Sequence, residues 1–127
     1  MSDATTTQVL HHGKRNVVIK FTNISDGTGE AAVKKVDVSA FTTPATGVKI
    51  ERIDFFMSGM GVDILWDATA NVVAFSIPQD AWGSYNMVDF GGIPNNSGAG
   101  STGDILFTTT MQQSGDRYTI ILHMVRE

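Results

Sequence analysis

Apolar positions recur at every second residue along most of this chain, the spacing of strands that bury one face. Val17, Ile19 and Phe21 alternate with Lys20 and Thr22. Val62, Ile64 and Trp66 alternate with Asp63 and Asp67, and Val73, Phe75 and Ile77 alternate until Pro78 ends the run. Ile105 and Phe107 lead into Thr108, Thr109 and Thr110, β-branched residues that favour strands over helices. From Arg117 to Arg126 both faces are apolar, Tyr118, Ile120, Leu122 and Met124 against Ile121 and Val125. That pattern predicts a central strand covered on both sides, or one with a face in a subunit interface.

One run breaks step. Val48 and Ile50 share a face, whereas Ile53, Phe55 and Met57 fall on the opposite one with Arg52 between. A one-residue slip inverts every later side chain of a strand, so a β-bulge near Arg52 is predicted to restore the common face. Turn chemistry separates the runs at His12-Gly13, Asp26-Gly27, Pro44 to Gly47, Ser58-Gly59, Asp67 to Asn71 and Ser114-Gly115-Asp116. No window has helical spacing with caps, and nothing repeats at a fixed period. The expected fold is all-β: a sandwich of about eight strands, jelly-roll-like, with an immunoglobulin-like sandwich as the alternative.

A length of 127 residues suits one domain spanning the chain, 1–127. Two segments stand apart from it. Met1 to Gln8 is polar and threonine-rich, reads as an N-terminal arm and does not read as a secretory signal. Phe90 to Gly103 holds five of the 13 glycines and is longer than a hairpin needs, so it reads as a long loop, mobile, held within the domain or draped on a neighbour. Charged residues make up 17 %, against about 25 % in ordinary soluble domains, which leans toward a surface that is covered by neighbours. The net charge of -4 and the scatter of the basic residues argue against a nucleic-acid binder, and no apolar stretch approaches a membrane span. With no cysteine, disulfides, thiolate metal sites and cysteine nucleophiles are excluded.

Candidate chemistry is sparse. His11, His12 and His123 are the only histidines, and adjacent strand residues point to opposite faces, so His11 and His12 cannot share a metal. No Gly-x-Ser-x-Gly elbow is present. Asp63 and Asp67 would stand about 13 Å apart on one strand face, too far for either glycosidase geometry. Asp26-Gly27-Thr28-Gly29-Glu30 lacks EF-hand spacing and reads as a hairpin turn, and Gly98 to Gly103 lacks the lysine of a phosphate loop. Asn23-Ile24-Ser25 and Asn95-Asn96-Ser97 match the glycosylation sequon by chance. No enzyme, cofactor or metal is therefore expected. Trp66 reads as core, whereas Trp82, Tyr85, Met87 and Phe90 lie between Pro78 and the glycine-rich loop, where rings can anchor a protein interface or stack on a sugar. The candidate interaction residues are Trp82, Tyr85, Met87, Phe90, Ile93, Asn95 and Asn96.

Taken together, Val18-Ile19-Lys20-Phe21-Thr22-Asn23 with Ser25-Asp26-Gly27, Leu65-Trp66-Asp67, Asp89-Phe90-Gly91-Gly92 with Asn95-Asn96, and Gly103-Asp104-Ile105-Leu106-Phe107-Thr108 resemble small virion structural proteins of tailed bacteriophages. The resemblance runs over most of residues 15–126 and includes no catalytic motif. It implies a non-enzymatic virion component made in the host cytoplasm, a capsid decoration (cement) protein that forms a homotrimer and binds the major capsid protein or another virion protein. Another head or tail component is the nearest alternative. A carbohydrate-binding module that takes surface glycans is the second class of function, and requires Trp82 and Tyr85 side by side on an exposed face with Asp80 or Asn86 at the rim.

Overall fold

The computed structural model describes residues 4–41 and 46–126, and the alternating runs become strands in two antiparallel sheets. In chain order these are β1 (Ala4–His12), β2 (Asn16–Ile24), β3 (Val33–Val36), β4 (Val48–Ser58), β5 (Gly61–Trp66), β6 (Val72–Ile77), β7 (Trp82–Asn86), β8 (Ile105–Thr110) and β9 (Arg117–Arg126). One sheet has the order β1-β2-β9-β4-β7 and the other β3-β8-β5-β6. Pairing is nested: β5 pairs with β6, β4 with β7, β3 with β8 and β2 with β9. The chain therefore folds back once into an antiparallel ribbon, which then wraps into two four-stranded sheets. That winding is a jelly roll. β1 stands outside it as a fifth strand on the edge of the larger sheet. No helix among the described residues is long and apolar enough to cross a membrane.

The sheets meet over one apolar core. Phe21, Ile50, Ile53, Ile120 and Leu122 of the larger sheet face Ile64, Trp66, Ile105 and Phe107 of the smaller. The bulge expected near Arg52 is present, because pairing between β4 and β9 slips between Ile50 and Arg52 and leaves Glu51 as the extra residue. Val48 and Ile50 before it and Ile53, Phe55 and Met57 after it consequently all point inward. A bulge frees backbone groups that need partners. Met87 N–H donates to Glu51 O at 2.6 Å, and Ile93 exchanges both backbone bonds with Ile50 at 2.8 and 3.2 Å. A Cβ on Gly92 would lie 2.9 Å from Ile50 O, so only glycine at positive φ allows this approach.

Three expectations are narrowed or changed. Residues 4–8 of the arm expected over Met1–Gln8 are the first half of β1, and residues 1–3 lie outside the described residues, as do 44–45 of the turn expected over Pro44 to Gly47. The 90–103 segment is tied to its own domain: Thr69 N–H donates to Ala99 O, Thr102 N–H to Asp67 O and Thr102 Oγ1 to Asp67 Oδ2 at 2.8 Å. Val73 faces solvent, because a register slip at Ala74 puts Val72 opposite Trp66 and Val73 opposite Leu65. β9 is central, as its two apolar faces predict, with Ile121 and Val125 half-exposed on the outer face.

Near one end the core holds a polar network. Lys35 and Glu30, both with nearly buried side chains, form an ion pair. Asn23 Nδ2 donates to Glu30 Oε1 at 2.9 Å, Tyr118 OH donates to the same oxygen at 2.7 Å, and Glu30 N–H donates to Thr109 Oγ1. The ring of Phe107 packs edge-on against Phe21 at 5.2 Å and Tyr118 at 5.9 Å beside it. Three strands, β2, β3 and β9, thus converge on the one carboxylate carried by the β2–β3 connection, and β8 holds its backbone. Removing only the cation leaves that carboxylate buried without its counter-charge. Lys35→Met is expected to cost about 3–5 kcal/mol in urea denaturation. Adding Glu30→Gln, which removes the uncompensated charge, should recover most of the loss.

Candidate functional site

A cleft opens on the side of the sandwich where the edge strands β6 and β7 run. Phe55 and Tyr85 project inward from β4 and β7, and Phe75 approaches from β6 in the opposite sheet. Tyr85 stacks nearly parallel on Phe55 at 6.0 Å, with an interplanar angle of 11°. Phe75 lies 5.3 Å from Tyr85 at a tilt of 56°. These rings floor an open cleft of about 560 Å³ whose walls include Ser76, Pro78, Asp80, Trp82 and Ser84.

The turn that carries Trp82 is firmly held. Asp80 has a positive φ of 60°, and its Oδ1 accepts the Gly59 N–H at 2.6 Å. Gln79 Nε2 donates to Gly59 O at 3.0 Å, and Met57 N–H to Ala81 O at 2.8 Å. Trp82 is nonetheless 76 % exposed, the most exposed large apolar side chain described. Its cross-strand neighbour is Phe56, 56 % exposed on the outer face of the sheet. Tyr85, opposite Ile53, belongs to the inner face and is 55 % exposed at the cleft. Trp82 and Tyr85 therefore line one cleft but leave β7 on opposite faces, so they do not form the flat two-ring platform expected of a sugar binder. Asp80 lines the cleft, and Asn86 is spent on the next turn, where its Oδ1 accepts the Val88 N–H.

The other expected interaction residues divide. Phe90 is exposed beside Val88 on the short 3₁₀ turn that follows β7, extending the apolar surface. Met87 is buried and belongs to the core, and Ile93 is half-buried against it while bridging to Ile50. Asn95 shapes its own loop, its Oδ1 accepting the Ser97 N–H and its Nδ2 donating to Ser101 Oγ. Asn96 is exposed. Phe55, Phe56 and Phe75 were not expected at a surface site. Their signal is the adjacent pair Phe55-Phe56 in a strand, which must send one ring to each face.

No protein family, curated protein or solved structure matches this chain. The site must be read from its own chemistry.

One polar cluster lies on the outer face of the larger sheet. Arg52 Nε donates to Asp54 Oδ1 at 2.9 Å and to Ser84 Oγ at 3.1 Å, and His123 Nε2 lies 3.0 Å from Asp54 Oδ2. The residue types match a hydrolytic triad but the order does not. Such a triad needs the histidine between serine and carboxylate, so that it can take the hydroxyl proton. Here the carboxylate and Arg52 stand between Ser84 and His123, which makes the group an ion-pair network. His11 and His123 both face Val18 from opposite strands, two strand spacings apart or about 10 Å, too far to share a metal. Among the described residues no three histidine, cysteine or acidic side chains gather as metal ligands.

Burial opposes ionisation of Asp54, but hydrogen bonds from Ser84, His123 and Arg52, with the Arg52 charge, outweigh it and hold the carboxyl below its ordinary 3.8. A carboxyl lowered by folding contributes stability fully above the unfolded value and loses it as pH falls through the folded one. The pair is partly solvated, so the contribution is under about 1 kcal/mol. Asp54→Asn should lower stability at neutral pH by that amount and match the parent in strong acid, as read by urea denaturation across the acid limb.

Proposed function

We propose that this chain is a non-enzymatic structural protein of a tailed-phage virion, a decoration protein that assembles on the head surface. The observation that carries the reading is the set of exposed apolar side chains Phe56, Trp82, Tyr85, Val88 and Phe90, which crowd both faces of the β7 edge and the turn that follows it. The core is complete without these side chains, so their exposure serves contact with something else. Aromatic anchors in a firmly held frame are the usual energetic centre of a protein interface. The jelly roll recurs in capsid and lectin domains, which supports the reading by fold analogy alone. The partner is the major capsid protein or a neighbouring virion protein. Binding to the assembled shell alone would stabilise it by mass action, with many copies adding avidity.

The test is whether the chain is a stoichiometric part of purified virions and rebinds heads stripped of it. Trp82→Ala and Phe90→Ala should each weaken rebinding roughly thirtyfold if they anchor the interface. Both side chains are exposed, so the unfolding midpoint should stay unchanged. Absence from virions, or rebinding that ignores both changes, overturns the proposal.

A second reading rests on the mixed lining of the same cleft, where Asp80, Ser76 and Ser84 stand beside the rings. A surface glycan that stacks on Trp82 would use those groups for its hydroxyls. Calorimetric titration with neutral oligosaccharides separates the two readings, because a saturable heat lost in Trp82→Ala favours the glycan.

A further inference from the structure

We propose that β1 is a self-pairing strand, through which two copies of this chain join their larger sheets across a two-fold axis. The eight-stranded jelly roll closes without β1, which is hydrogen-bonded on one side only, to β2. Its side chains from Thr5 to His11 are exposed on both faces, because the smaller sheet ends at β3, and among the described residues it is at the end next to the turn that Val9 and His12 share a hollow with Val36 and Phe41. A strand in that position offers a row of unpaired N–H and C=O groups.

Edge strands are ordinarily guarded against pairing by charges, proline or bulges. Ala4–His12 has no charged residue and no proline. Its single register slip, between Val9 and His11, lies at the end next to the turn and leaves Ala4–Val9 straight. The far edge strand β7 is only five residues long and begins at a turn in which Asp80 has a positive φ. In the smaller sheet the edge strand β3 carries Lys34 and Lys35 and β6 is interrupted by its register slip at Ala74, so β1 is the longest edge with neither charge, proline nor an interior bulge.

A second copy is the occupant that the chemistry favours. Antiparallel pairing about a two-fold brings each strand against itself, so any charge on it would meet its own image or lie near it. In a chain of net charge -4, β1 contributes none of that charge. A two-fold centred on Thr7 overlaps Thr5–Val9, setting Thr7 opposite Thr7 of the other copy, a β-branched pair of the kind that stabilises antiparallel sheets, and Thr6 opposite Gln8. The product is a continuous ten-stranded sheet, with the aromatic surface of each copy at an outer end.

The test is sedimentation analysis of the full chain over a range of concentrations, with hydrogen exchange on the same samples. A concentration-dependent dimer is expected, with amide protection in Ala4–Val9 that grows as the dimer forms. Thr6→Glu with Gln8→Glu brings four carboxylates together across the two-fold and should weaken the dimer roughly tenfold. Within one chain Gln8 faces Lys20, which gains an opposite charge, and the Thr6–Thr22 hydroxyl contact that is altered is exposed, so the unfolding midpoint should move little. Val73→Glu with Val88→Glu adds the same charge at exposed sites away from β1 and should leave the dimer intact. A monomer at every concentration overturns the proposal, as does an oligomer that ignores the β1 charges or responds equally to both pairs of substitutions. Protection of β1 amides that does not change with concentration overturns it without recourse to any variant.

Discussion

The extra residue in β4 decides which side of the sandwich every later side chain of that strand serves. Without the slip at Glu51, Ile53, Phe55 and Met57 would face solvent, and Arg52, Asp54 and Phe56 would face the core. Burying that arginine and aspartate would cost far more than the ladder bonds the bulge gives up. The lost bonds are replaced as well, since Met87 and Ile93 return from beyond β7 to satisfy Glu51 and Ile50. Core, cleft and surface ion pair all follow from the same register. Phe55 reaches Tyr85 and Phe75 because it points inward, and Asp54 reaches His123 because it points outward.

Much of this was legible in the alternation itself. The inward faces of β2, β5, β8 and β9 follow from period two, and the broken step in β4 announced its bulge. β1 was not legible, because alternation records the difference between a buried and a solvated face, and this strand has no buried face to record. β7 was hidden for the same reason, with Trp82, Ser84 and Tyr85 all exposed. Val73 misled because the slip at Ala74 depends on the cross-strand partner, which sequence spacing cannot contain. Trp82 and Tyr85 were found as chemically conspicuous residues, but their placement on opposite faces required the pairing with Phe56 and Ile53.

The molecule presents two kinds of surface at opposite ends of its larger sheet. One end offers backbone groups and small polar side chains, and the other offers rings and aliphatic groups around a cleft. Backbone pairing gives geometry with little dependence on side chains, whereas aromatic burial gives energy with tolerance of angle. The buried Glu30–Lys35 network belongs to neither surface. It ties the β2–β3 connection to β3, β8 and β9 in the core between the two ends.

The nested ribbon also imposes an order on how a newly made chain acquires its shape. The β5–β6 pair is joined by a short turn and closes cheaply, whereas β2 meets β9 only across nearly the whole domain. β9 is the last of the described strands to leave the ribosome, yet it occupies the centre of the larger sheet. Until it emerges, β2 and β4 have no partner between them, and Phe21 and Ile50 remain wet. Translation speed and chaperone access during that interval therefore govern how much chain reaches the folded state before its unpaired strands find one another.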